Sequence, residues 1–358
     1  MSTPLPERAS LDQLRKQAKD LRKSGEYAKL ADAQFAVARE YGFPSWPKMA
    51  FAVEQRELQA AIRDGLMPEL ERLLKANPRL AKAPYEDGST PLHQAGMNND
   101  PAMIERLVKA GAPFRTRYAT SGHTALSWAI TCWSPEAALK LVELGDMPDL
   151  FCAAGLGLLD HVQAFWVDGK LRRGASRTGS SRRDETGERL PCPPTRDEDI
   201  VSDALYIACR SGRLETARWL LDHGADPNWR GFIGANCLAW AEFSDMRELC
   251  DLLRERGASD EIRDTEFGAR PREFPIMVLA GWGFQGWLSQ RLAKYPESVR
   301  ISAGCGTALH AAAMNGQSGS AKILLEAGAD RQALDPAGRT ASEVAQARGF
   351  GELAQILR

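Results

Sequence analysis

Residues 306–339 read GTALHAAAMNGQSGSAKILLEAGADRQALDPAGR, and Thr340 begins the same phrase again, 33 residues after Thr307. A threonine opens a short alanine-rich helix, and Gly316 stands nine positions on. A second apolar helix ends in LLEAGAD, and an extended return leads to the next threonine. Such a phrase is one supersecondary unit of a repeat array, which cannot bury its apolar face alone and must stack on a neighbour.

Working outward from Thr307, the anchor position recurs at Arg56, Thr90, Thr124, Pro148, Asp203, Asn236, Phe274 and Thr340. Glycine recurs nine positions later at Gly65, Gly157, Gly212, Gly283, Gly316 and Gly349. It recurs again twenty-one positions after the anchor at Gly111, Gly145, Gly169, Gly224, Gly257 and Gly328. Each position has a mechanical role. The threonine hydroxyl caps the first helix by accepting a backbone N–H. Pro91 sits in the first turn, where its missing donor costs nothing. Small pairs such as Ala311-Ala312 let neighbouring helices approach, and each glycine ends a helix in the left-handed conformation.

TPLHQA from Thr90, TALHAAAMNG from Thr307 and LLDHGADPN from Leu220 together resemble the ankyrin repeat, over roughly residues 56–358. The N-terminal stretch AREYGFPSWPKM from Ala38 resembles the lead-in of bacterial ankyrin-repeat proteins. The resemblance implies an all-α solenoid of stacked helix-turn-helix units with short hairpin returns, about nine units in one elongated body. Residues 1–55 fall outside the period. Ser10 is placed to cap a helix over Leu11–Lys23, a second helix is expected over Ala31–Glu40, and a third over Lys48–Gln55. Together they are expected to form a helical cap over the open end of the first repeat.

Several units break the phrase. The units anchored at Arg56 and Phe274 end in Asn77-Pro78 and Tyr295-Pro296, which predicts irregular returns. Thr124 and Pro148 are too close for a full hairpin. The largest break is an insertion at residues 170–202, basic at its start (Arg172, Arg173, Arg177, Arg182 and Arg183) and acidic at its end (Asp197, Glu198 and Asp199). It is too poor in apolar residues to make a core. Two readings stand: a solvated loop whose halves neutralise one another, or a loop folded over the concave face.

Forty-six Lys and Arg against 47 Asp and Glu argue against general affinity for nucleic acid, although the arginine cluster leaves local binding as an alternative. No apolar run is long enough to span a membrane, and the first residues have no apolar core of a secretory signal. Seven cysteines without a CxxC pair read as scattered reduced thiols of a cytoplasmic protein, with no metal site and no cofactor. All five histidines fall at positions the repeat explains, including His93 and His310 of the capping phrase. None is left over for a nucleophile–base pair.

Function is therefore expected on the surface, at the positions seven and eight after each anchor that line a concave groove. The candidates are Met97, Asn98, Thr131, Arg210, Phe243, Trp282, Met314 and Asn315, with Trp133 adjacent to this row and Trp229 and Phe232 on the adjoining hairpin. Exposed aromatic and Met side chains near arginine suit a protein interface. The expected function is non-catalytic binding of a protein or peptide by a monomer, with Arg210 and the arginine-rich insertion choosing an acidic partner. The alternative is an enzyme or small-molecule sensor whose pocket the 170–202 insertion closes over the concave face.

Overall fold

The computed structural model describes residues 4–6, 9–184, 186 and 188–358. The caps stand where the threonines predict them. Thr90 Oγ1 accepts from the His93 backbone N–H, and His93 Nδ1 accepts in return from that of Thr90 at 3.3 Å. Thr340 and Glu343 form the same reciprocal pair. Asp149 and Asn236 cap through their side-chain oxygens, on the N–H groups of Cys152 and Ala239. Each cap satisfies a donor the helix cannot, worth about 1 kcal/mol.

Both glycine registers turn the chain in the left-handed region, from Gly212 at φ 66° to Gly145 at φ 103°. Asn99, Trp133 and Asp245 fill the first register without glycine and take φ of 54°, 54° and 56°. Asn and Asp tolerate that conformation; tryptophan is strained in it. Trp133, expected at a binding groove, is thus a turn residue.

The chain forms two compact units, one ending at Met147 and one spanning Pro148–Arg358. The first contains α1 (Leu11–Lys23), α2 (Leu30–Glu40), α3 (Trp46–Arg63), α4 (Met67–Ala76), α5 (Pro91–Met97), α6 (Pro101–Lys109), α7 (Ala125–Thr131) and α8 (Pro135–Glu143). Leu11, Leu14, Ala18, Val37, Met49 and Val53 pack the three N-terminal helices together. The third helix differs from expectation. No glycine or proline interrupts the chain after Pro47, so α3 runs on to Arg63 through the expected boundary at residue 55. Helices α3, α5 and α7 then pack in one row and α4, α6 and α8 in another.

The second unit contains α9 (Leu150–Leu156), α10 (Leu159–Gln163), α11 (Asp197–Arg210), α12 (Leu214–Asp222), α13 (Cys237–Phe243) and α14 (Arg247–Glu255). It continues with α15 (Phe274–Gly281), α16 (Gln285–Lys294), α17 (Ala308–Met314), α18 (Ser318–Glu326), α19 (Ala341–Ala347) and α20 (Gly351–Leu357). The odd-numbered helices α9 to α19 pack successively, burying such residues as Phe151, Ile207, Leu238, Ile276 and Leu309. Neighbouring returns bond edge to edge: Ile233 O accepts from Thr265 N–H at 2.7 Å, and Phe267 O from Cys305 N–H at 2.8 Å. The proline-containing ends at Pro78–Lys82 and Pro296–Arg300 are 3₁₀ turns, the irregular returns their sequences predict.

The insertion is more structured than its composition suggests. A short hairpin pairs β1 (Trp166–Val167) with β2 (Lys170–Leu171). Residues 175–180 then run beneath two buried carboxylates. Asp149 accepts from Arg177 N–H (2.7 Å), Thr178 N–H (2.6 Å) and Thr178 Oγ1 (2.8 Å). Asp203 accepts from Ser180 N–H (2.8 Å) and from Ser180 Oγ. Ala175, Thr178 and Ser180 are buried, so this stretch is neither solvated nor without a core contribution. The physical reason is that backbone donors were satisfied by fixed acceptors, not by apolar burial. The acidic end is helical: Asp197, Glu198 and Asp199 form the first turn of α11, where the helix dipole favours negative charge.

Candidate recognition surface

Trp240 of α13 is the centre of an aromatic cluster in the Pro148–Arg358 unit. It is fully buried. Its ring centroid lies 4.9 Å from that of Phe274, 5.6 Å from Phe243, 6.2 Å from Tyr206 and 6.2 Å from Trp282. The Phe274 and Tyr206 contacts are near-perpendicular, which places ring edges against ring faces. From this buried centre the cluster climbs outward. Phe232 lies 5.9 Å from Trp282, Phe284 6.0 Å from Trp282, and Trp287 5.3 Å from Phe284 and 6.1 Å from Phe243. Phe232 and Trp287 remain 40% and 42% exposed, while Phe243, Trp282 and Phe284 are half-buried.

Cations and carboxylates frame the rings. The Arg210 guanidinium lies 4.0 Å from the Trp240 ring and 5.9 Å from that of Phe232. Arg210 is only 6% exposed, so the charge expected to choose an acidic partner is instead part of the packing. The Tyr206 hydroxyl accepts from the Phe232 N–H at 3.0 Å, and burial pushes its pKa up to about 12. Arg182 lies 4.1 Å over Trp229, whose Nε1 donates to Asp203 at 3.0 Å. Burial raises the Asp203 carboxyl above the usual aspartate range. On the other flank, Glu266 accepts from Trp282 Nε1 at 3.1 Å and from Asn315 Nδ2 at 3.2 Å.

The remaining expected residues divide between scaffold and surface. Asn98 Nδ2 donates to Ile62 O at 2.9 Å, Asn315 Nδ2 to Gly281 O at 3.0 Å, and Ser244 Oγ to Arg210 O at 3.2 Å. The position eight after an anchor thus ties its helix to the end of the preceding one. Thr131 Oγ1 donates to Trp128 O at 2.9 Å. Met97 is exposed and Met314 half-buried. Met97, Asn98, Thr131 and Trp133 belong to the first unit; the aromatic cluster belongs wholly to the second. Arg172, Arg173, Arg177 and Arg183 are exposed on the insertion.

Tyr206, Trp240, Glu266, Phe284 and Trp287 join the cluster without being among the residues expected from the sequence. One signal was available: Trp240 stands four residues after its anchor, where the regular unit has the small Ala311. Gly231 carries another. A Cβ there would come closer than 3.0 Å to the Tyr206 ring. Gly231→Ala is expected to destabilise the second unit by about 1–3 kcal/mol through overpacking, read as a lower urea midpoint.

The two histidines of the capping phrase are held within the repeat. His93 and His310 each bond a capping threonine through Nδ1 and the carbonyl of His123 or Arg339 through Nε2, at 3.0 Å in both cases. Among the described residues, no three His, Cys, Asp or Glu side chains are grouped to hold a metal. No described helix is long and apolar enough to cross a membrane.

Family models match three stretches of the chain. Residues 58–151 match ankyrin repeats (3 copies), and residues 203–231 and 306–336 each match an ankyrin repeat. Phe232, Phe243, Glu266, Trp282, Phe284 and Trp287 all fall between the last two stretches, where the repeat phrase is broken.

Proposed function

We propose that this ankyrin-repeat protein is a non-catalytic recognition module that binds a protein or peptide on the aromatic face of its Pro148–Arg358 unit. The observation that carries the proposal is the partly exposed run of Phe232, Trp282, Phe243, Phe284 and Trp287 over a buried Trp240. The regular unit has no aromatic at the corresponding places, so the stacking of repeats does not require it. Rigid aromatic rings lose little entropy on binding, and a packed base under them keeps the surface preorganised. Arg210 supports that base. The groups at positions eight supply rigidity.

The test is a comparison of the full chain with a Phe232→Ala/Trp287→Ala variant. Both side chains are exposed enough that folding should survive, which circular dichroism and a urea titration check. Proteins retained from a lysate of the source cell by the wild type are purified and their affinities measured directly. The expected result is a loss of about tenfold or more for a partner that the wild type binds. Equal affinity for every partner would remove the aromatic face from recognition.

A further inference from the structure

Glu266 is placed where a carboxylate has no evident structural need for its charge. Among the described residues, its two oxygens accept only from neutral donors, Trp282 Nε1 and Asn315 Nδ2. Two residues away, Asp264 is buried and accepts from the backbone N–H groups of Glu266, Phe267 and Ala269. The proximity of Glu266 adds to the burial that raises the Asp264 carboxyl. Among the described residues, neither carboxylate takes part in an ion pair. Arg230 donates to Gly234 O and Arg263 O, and Arg263 to Gly268 O and pairs with Glu273, so neither bonds Glu266 or Asp264. Glu266 thus stands at this edge of the aromatic face as a half-buried carboxylate held by neutral donors.

Two guanidiniums of this unit already lie against tryptophan rings. Arg210 lies on Trp240 and Arg182 on Trp229. Trp282 has no cation over its ring among the described residues, is half-buried, and carries Glu266 on its indole N–H. An aromatic face with a carboxylate held by neutral donors at its edge attracts a cation by ring quadrupole and by charge at once.

We propose that the partner bound at this face is a basic peptide segment, one of whose arginine or lysine side chains lies against Trp282 and Phe232 with its charged head on Glu266. The inference rests on the aromatic face being the recognition surface, and it specifies the partner's charge. It reverses the acidic partner that the arginine count of the sequence suggests, because the arginine nearest the rings is packed into the scaffold. The carboxylate decides the sign: a partner's Asp or Glu placed at Glu266 would meet a like charge, whereas a guanidinium completes a charge-assisted pair.

The probe is a random peptide display library panned on the full chain, with the enriched peptides synthesised and their affinities measured by fluorescence anisotropy. Enriched peptides should be several-fold richer in Arg and Lys than the library. Their affinity should fall about tenfold for Glu266→Gln, which keeps an acceptor for Trp282 and Asn315 but removes the charge. Replacing the peptide's basic residue by Gln should cost a similar factor on the wild type and little more on Glu266→Gln. Enriched peptides that are neutral or acidic, or that bind Glu266→Gln within about twofold of the wild type, would overturn the basic partner. If those peptides still lose affinity for Trp287→Ala, the aromatic face stands as the site and only the partner's charge is wrong. If no peptide is enriched, or all bind Phe232→Ala/Trp287→Ala as tightly as the wild type, the face and its basic partner fall together.

Discussion

Replacing Trp240 by alanine is expected to destabilise the Pro148–Arg358 unit by about 3–5 kcal/mol, the range for emptying a fully buried large aromatic site. Trp240 meets Tyr206, Phe243, Phe274 and Trp282 and lies under the Arg210 guanidinium. These contacts come from α11, α13 and α15 and the residues following α15, so collapse around a cavity would have to move several helices together. Only partial relaxation is available, and the cavity term adds to the lost transfer energy. Arg210 would also lose the ring that shares its burial. Trp240→Phe keeps a ring there and should cost roughly half as much. Urea unfolding followed by hydrogen exchange in residues 229–290 measures both variants in the relevant unit. A loss below about 1 kcal/mol for Trp240→Ala would mean that the aromatic cluster is not a packed base. The rings above it would then be mobile, and preorganised recognition on this face would lose its support.

The array was legible because its period is enforced by backbone geometry. Twelve glycines in two registers all take positive φ, and the capping side chains at the expected anchors Thr90, Asn236 and Thr340 bond the N–H groups that helix starts leave open, while the fourth unit caps on Asp149, one residue past its expected anchor Pro148. A spacing rule captures such constraints because they lie within one unit. The insertion was not legible for the converse reason. Its order comes from Asp149 and Asp203, which lie outside it and reach Thr178 and Ser180 across the fold. Composition predicts solvation where nothing apolar is available, yet a buried carboxylate offers several acceptor positions and can order a polar strand. Of the expected recognition residues, Phe243, Trp282, Phe232 and Trp229 come together in one unit with Arg210 and Arg182. Counting arginines does not reveal that Arg210 and Arg182 are packed against rings. Glu266 escaped notice since one glutamate among many carries no periodic signature.

Asp203→Ala is expected to cost the second unit about 2–4 kcal/mol and to release the segment around Ser180, because it strips fixed acceptors from buried donors. Asp203 is 2% exposed and holds Ser180 N–H, Ser180 Oγ and Trp229 Nε1. With the carboxylate gone, Trp229 loses its anchor, and Arg182, which lies over that ring, loses its seat. Trypsin should then cut at Arg182 and Arg183 faster than in the wild type. Asp203→Asn retains one acceptor and should cost less than alanine. Its difference from the wild type carries a pH signature. Burial holds the Asp203 carboxyl above its ordinary value, so the folded chain binds the proton more tightly than the unfolded chain. The stability this group contributes is complete below the unfolded value, about 3.9 for aspartate, and is lost as pH rises through the folded value. The wild type should therefore lose part of its margin over Asp203→Asn as pH rises across that window. Subtracting the two curves removes Asp245, Asp260 and Asp335, whose carboxyls are held low and whose own slopes run the other way. A margin that grows with pH would show that the hydrogen bonds from Ser180 and Trp229 outweigh burial. Asp203 would then hold the insertion as a full charge, and Arg182 over Trp229 would be its counter-ion.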